Sequence, residues 1–320
     1  MGKGLRLVGA VFVVLALILG AVASANWSVF TNPGPLAEPK VVVVPRGGTE
    51  AIAATLRESG VITDPRIFAI AAWWTRGEGP LRAAEFLFPA GASIRSALTV
   101  LREARPVQRR LTIPEGFTAR QILALLERSE GLTGEAPALA EGAALPETYA
   151  FTLGDTRASV LRRAIAAMDQ ALAEAWVARA PNLPLANPRE ALILASIIER
   201  ETGVAGERTL VSGVFVNRLR RGMMLQSDPT VAYVPGQGMP LDRPLTRADL
   251  DQAHPFNTYR IRGLPPGPIA SPGREALRAA TRPAETDFLY FVADGSGGHA
   301  FARTLDEHNR NVARWRALGR

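Results

Sequence analysis

Two glutamates, Glu199 and Glu201, close a nearly unbroken apolar run from Ala191 to Ile198, interrupted only by Ser196. A helix apolar on all sides must be buried, so Glu199 follows directly from core-like surroundings. Burial disfavours the ionised carboxylate and raises its pKa, which is how a general acid is prepared for work near neutral pH. At 3.6 residues per turn the two side chains point about 200° apart, so only one can aim into a given cleft. Glu199 lies one turn after Ala195 and Ser196, small residues that would leave room beside its carboxyl. Glu201 falls among Arg200, Thr202 and Arg208, where an ion pair is an easy alternative. On spacing alone a plainer reading of Glu199 stands beside the catalytic one, a helix-surface glutamate paired with an arginine.

Four polar residues downstream, Gln226, Asp228, Asn257 and Tyr259, sit in turn and loop segments, where binding groups concentrate. Each also has a local reading: Asp228 before Pro229 as a turn former, Asn257 as a cap, Tyr259 as packing. Glu207 and His299 are weaker site candidates. The three histidines are scattered and offer no zinc ligand set. The absence of cysteine excludes disulfides and thiolate chemistry. No Gly-x-Ser-x-Gly elbow is present, which argues against a serine hydrolase. Neither a cofactor nor a metal is expected.

The 320 residues suffice for two or three domains, and 47% hydrophobic content argues for a folded chain. The net charge of +7 is carried by arginine, with lysine only at Lys3 and Lys40. Lys3 and Arg6 precede an uncharged stretch of nineteen residues, Leu7–Ala25. At about 1.5 Å per residue that stretch reaches roughly across a bilayer core. The flanking positive charge places residues 1–6 in the cytoplasm and everything after the span outside the inner membrane. Ala23-Ser24-Ala25 also resembles a signal-peptide cleavage site, but the apolar run exceeds a usual signal core and favours a retained, single-pass anchor. An extracytoplasmic location for the basic charge argues against a nucleic-acid partner.

These residues must be positioned by an α+β chain. Residues 26–40 hold three prolines and a glycine from Ser28 onward and read as a linker. Across 41–130 a β–turn–α unit recurs three times, with turns Pro45–Thr49, Pro89–Ser93 and Pro114–Thr118. Proline ends each strand, glycine permits a positive φ, and serine or threonine caps the helix that follows. Such units are similar to LysM, a small glycan-binding module. Trp73 and Trp74 could stack on sugars, but their apolar helical setting predicts core packing. The remaining chain, 141–320, reads as a mixed α/β catalytic domain built around the buried helix. A helix is expected over Val160–Ala180, a short strand at Met223–Gln226 and a capped helix at Thr246–Leu250. Asn257–Gly273, with four prolines and three glycines, reads as a rigid, polar-walled loop. A hairpin spans Leu289–Ala302, and Thr304 opens the last helix.

Taken in order, ASIIERE, VSGVFVNRL, LQSDPTV, FNTY, GLPPGPIASPG and LYFVADGSGGHAF resemble the YceG-like (MltG) family of endolytic murein transglycosylases. The resemblance runs from about Val41 to Trp315 and includes Pro146–Tyr149. It implies a membrane-anchored lyase that cuts nascent peptidoglycan glycan strands internally. The cut falls between the two alternating sugars, leaves 1,6-anhydro-muramic ends, and would terminate strand elongation. The resemblance also implies peptidoglycan synthases (penicillin-binding proteins) as partners, and Glu199, first of the pair, as the catalytic acid. His254 and Phe256 depart from the common neighbours of the Asn-Thr-Tyr motif.

The chemistry is coherent without the family. Ordinary glycosidases need two carboxylates. A lytic transglycosylase needs one: it protonates the bridging oxygen, and the sugar's own 6-hydroxyl attacks the anomeric carbon with a large effective molarity. Two rivals remain, a two-carboxylate muramidase using Glu199 and Asp228, and a non-catalytic wall-binding adaptor for synthases.

Overall fold

The computed structural model describes residues 27–236 and 238–319. The expected membrane span, Leu7–Ala25, lies outside the described residues. Among those described, no helix is long and apolar enough to cross a membrane. The chain divides into two compact units, residues 1–109 and 110–320.

In the first unit β1 (Lys40–Val43) pairs antiparallel with β2 (Glu85–Phe88), with Val41 opposite Leu87 and Val43 opposite Glu85. Helices α1 (Thr49–Glu58) and α2 (Pro65–Trp74) lie between the strands in sequence, and α3 (Ile94–Glu103) follows β2. Strand alternation turns Val42, Phe86 and Phe88 inward, where they meet Ile52, Leu56, Phe68, Leu98 and Leu101 in one core. Ser93 caps α3 as expected, but α1 starts from Gly48 with no side-chain cap. Two sequence expectations fail here. Residues 28–36 are no free linker: Phe30 and Leu36 pack against the core, and Gly34 and Gly91 are tied by backbone hydrogen bonds (Gly34 N to Gly91 O 3.2 Å, Gly91 N to Leu36 O 2.7 Å). Trp73 and Trp74 are not core residues; they are 63% and 78% exposed.

In the second unit β3 (Arg109–Thr112) pairs with β4 (Thr148–Phe151), and α4 (Ala119–Arg128) and α5 (Arg157–Val177) pack beside them on Leu111, Ile113, Ile122, Val160 and Leu161. The third β–turn–α unit therefore belongs with the downstream chain, not with the first two. Thr118 and Gln121 form the capping box of α4.

The larger core surrounds α6 (Pro188–Glu201), whose Ala191 and Ile193–Ile198 are all buried. Asn187 caps it by accepting from Glu190 N, with Pro188 at its first position. Around it stand α5, α7 (Arg208–Arg220), α8 (Asp228–Gly236) and α10 (Arg274–Thr281), with the short α9 (Arg247–Asp251) against α8. β5 (Tyr290–Ala293) and β6 (His299–Ala302) form the expected hairpin, packed on α11 (Leu305–Ala317). Met223–Gln226 is not a strand, because Arg218 takes its carbonyls: the guanidinium donates to Met224 O and Leu225 O at 3.3 and 2.8 Å. Nor is the proline-rich loop polar-walled throughout. Residues 267–273 are buried, and Ile269 N donates to Ser196 Oγ at 3.1 Å, sewing the loop onto α6.

Candidate active site

Glu199 and Glu201 leave the end of α6 in different directions and meet different chemistry. Glu199 is buried, with 4% of its side chain exposed. Its Oε2 accepts from Gly273 N at 2.8 Å, and its Oε1 from Arg208 at 3.4 Å. Gly273 is the N-cap of α10, so the carboxylate caps a helix N-terminus, where an anion is favoured. Arg208 also reaches Glu115, 3.4 Å away, in the turn that precedes α4. Ala195 and Ser196 lie one turn before Glu199. Both are fully buried, and the Ser196 hydroxyl is spent on Ile193 O and Ile269 N. Arg208 is thus the arginine partner that the plainer reading gives Glu199.

Glu201 is partly buried, and burial pushes its carboxyl up to about 7. The nearby Asp228 charge adds to the rise, while the Ser227 hydroxyl and Arg218 oppose it. Ser227 Oγ donates to Glu201 Oε1 at 2.5 Å. Ser227 is itself fixed: its N donates to Thr258 Oγ1 at 2.9 Å and its carbonyl accepts from Thr230 Oγ1 at 2.7 Å. The two threonine hydroxyls meet at 2.9 Å, closing a buried ring across the start of α8 and the Asn-Thr-Tyr turn. A buried ring with every hydroxyl paired is rigid.

Around Glu201 stand three of the four residues expected to bind ligand. Asp228 accepts from the Tyr259 hydroxyl at 2.6 Å, and burial, then the Asp228 contact, hold Tyr259 above the usual phenol range. Gln226 is exposed and adopts φ 51°, the left-handed region that a non-glycine residue rarely occupies. Its N donates to Thr258 O at 3.1 Å and its Oε1 accepts from Arg218 at 3.3 Å. Arg218 is nearly buried, donates to Leu289 O at 2.6 Å, and lies over the Tyr290 ring at 5.1 Å. Burial lowers its pKa, and Tyr290, Tyr259 and Glu201 counter that. Beside Pro229 and Arg200 lies a cavity of about 40 Å³, lined also by Tyr233, Leu241 and Ile269. Asn257 is different. It is 1% exposed, donates to Asp249 O, Leu250 O and Gln252 O, and accepts from Tyr259 N at 3.0 Å. Its amide nitrogen is spent on the backbone carbonyls of the turn, and burial closes the side chain off from solvent.

A model of the YceG-like family matches residues 41–314. The chain belongs to the YceG-like family. A Bacillus subtilis (strain 168) protein named endolytic murein transglycosylase is 38% identical over 170 residues, 53% of this chain and 46% of the relative. A Streptococcus pneumoniae (strain D39) protein of the same name is 30% identical over 321 residues, 85% of this chain and 57% of the relative. The chain spans about half the length of these curated relatives. A solved structure of a yceG-like protein from Listeria monocytogenes matches with a TM-score of 0.52 at 27% identity, covering 86% of this chain and 99% of that one.

In this YceG-like chain, sequence reasoning missed Ser227, Thr230, Thr258 and Arg218. Ser227 and Thr230 flank Asp228 in the Gln-Ser-Asp-Pro-Thr motif, and Thr258 stands between Asn257 and Tyr259. The readable signal was their enclosure by polar neighbours. Arg218 had its own signal, a guanidinium set inside the Val-Phe-Val-Asn-Arg-Leu stretch. Glu207 and His299 do meet: the His299 ring Nδ1 lies 2.7 Å from Glu207 Oε2, and His299 N donates to Oε1 at 2.9 Å. The pair fastens the β5–β6 hairpin to the loop after α6. No group of residues suited to hold a metal occurs among those described.

Proposed function

We propose that this chain is an endolytic peptidoglycan transglycosylase in which Glu201, not Glu199, is the general acid. One observation carries the reading: the Glu201 carboxyl is raised to about 7 and held by a rigid hydroxyl among exposed polar groups. A carboxyl near that value is protonated for a large fraction of the time at neutral pH and can also act as a base. Glu201 donates its proton to the bridging oxygen as the glycosidic bond breaks. The sugar's 6-hydroxyl attacks the anomeric carbon, and the ionised Glu201 takes the hydroxyl proton. The product is a 1,6-anhydro end, and no water enters. Gln226 and the Tyr259–Asp228 pair hold the sugar, and Glu199 acts in structure as the anchor of α10. The names of the relatives and the family motifs support the substrate class.

The βααβ order of the first unit supports a LysM-like role in holding glycan. Leu7–Ala25 supports a single-pass anchor with both units outside the inner membrane, within reach of peptidoglycan synthases.

Glu201→Gln should fold normally and lose roughly 100- to 10,000-fold in cleavage rate. Glu199→Gln should retain cleavage and lose stability by roughly 1 kcal/mol, through the weaker α10 cap. Digestion of defined glycan strands, with products weighed, tests both. Products one water lighter than hydrolysis products are expected. Reducing ends, together with inactivity of Asp228→Asn, would establish the two-carboxylate muramidase instead. Full activity in Glu201→Gln would overturn the assignment.

A further inference from the structure

The first unit carries a helix whose solvent face is the wrong composition for water. Around α2, at 100° per residue, Ile67, Ile70, Trp73 and Trp74 occupy an arc of about 120°. Phe68 and Ala72, on the opposite side, are buried in the core. The four outward residues are 38%, 63%, 63% and 78% exposed. Single exposed apolar residues are ordinary, but four large ones on one helix face mark a contact surface. Two cations stand beside them, and Glu78, just past the helix, is paired with Arg102 at 2.9 Å. Arg66 is exposed at the start of the helix, and the Arg76 guanidinium sits 4.5 Å over the Trp73 ring. No acidic residue lies on the helix, and Asp64 before it spends its carboxylate on Arg66 N.

We propose that this face of α2 rests in the headgroup region of the lipid bilayer. The proposal depends on the membrane anchorage proposed above, and the path of the chain carries it. Phe30 and Leu36 are packed on the core of the first unit, so the chain is fixed to that unit almost as soon as it passes Ala25. Five residues from Ala25 to Phe30 span at most about 18 Å. A unit held that close to a bilayer must turn some face toward it. Tryptophan with arginine is the composition that settles at the interface, and such a face lies about 5–10 Å into the headgroup and acyl boundary. A sugar platform would need hydrogen-bonding groups among its aromatic rings, and Ile67 and Ile70 supply none. The outer face of the β1–β2 pair, with Val41, Val43 and Leu87 exposed, has no tryptophan.

The chain contains no cysteine, so Ile70→Cys gives a unique attachment point for an environment-sensitive fluorophore. The full chain would be reconstituted in nanodiscs of phosphatidylethanolamine and phosphatidylglycerol. The label should emit blue-shifted and be quenched by nitroxide-bearing lipid rather than by aqueous iodide. The blue shift should be lost when Ile67, Trp73 and Trp74 are changed to serine. The same label at Ala54→Cys on α1, read in parallel, reports the response of an exposed position off this face. Water-like emission at position 70 from chain that co-purifies with the nanodisc would overturn the proposal and leave the anchor standing. Failure to co-purify with the nanodisc would remove the anchor, and the proposal with it. A blue shift that appears only after glycan strands are added would make the face a sugar platform and overturn a lipid contact.

Discussion

At the scale of single residues, the two glutamates of α6 meet different surroundings. The sequence signal for a buried acid points to Glu199, whereas the general acid proposed above lies two residues further on, at Glu201. Apolar neighbours along the chain mark where burial begins, not which side chain has lost its partners. The Glu199 carboxylate meets Arg208 and the α10 N-terminus. Burial pushes the Glu201 carboxyl up to about 7, which the Ser227 hydroxyl and Arg218 only partly oppose. A general acid works in its protonated form, so cleavage should decline as pH rises through about 7. The Ser227 hydroxyl favours the ionised form of Glu201. Removing it in Ser227→Ala should raise that pKa further, and the alkaline limb of the kcat/KM profile should move to higher pH. An unmoved limb would show that another group sets it.

At the scale of elements, most of what holds the site was legible. The α6 helix, the α9 cap at Thr246, the β5–β6 hairpin and the last helix stand where periodicity and capping residues put them. What was not legible was how segments distant in sequence share hydrogen bonds. Asn257 looks like a ligand-binding amide and is a turn brace, because its three carbonyl acceptors lie in residues 249–252. The stretch after α10 depends likewise on one glycine in α7. A Cβ at Gly213 would lie 2.8 Å from Ala284 O and 2.7 Å from Thr286 Cγ2. That stretch is held by Ala284 N to Thr209 O at 2.9 Å and by Asn217 Nδ2 to Thr286 O at 2.6 Å. It cannot retreat without losing these bonds, although alanine favours the helix more than glycine does. Gly213→Ala should therefore destabilise the second unit by about 1–3 kcal/mol, read from denaturant midpoints. Arg218 and Leu289 are joined just beyond, so activity should fall as well.

At the scale of the whole molecule, the two units have separate cores. The third β–turn–α unit read as one of a series because its turn chemistry is the same, while strand pairing, which the sequence pattern does not encode, joins it to β4. The residues before β1 were misread for a related reason. Proline and glycine mark irregular backbone, and irregular backbone can be packed as firmly as a helix, as Phe30 and Leu36 are. That packing bears on the N-terminus. The uncharged run Leu7–Ala25 is longer than a signal core requires, and it leads with almost no slack into a folded unit. The mature protein should keep it. Membrane fractionation followed by intact-mass measurement should find the chain in the membrane at its full mass, and high salt should not release it, because a spanning helix is held by apolar transfer rather than by charge. A soluble species beginning at Asn26 would mean that Ala23-Ser24-Ala25 is cleaved.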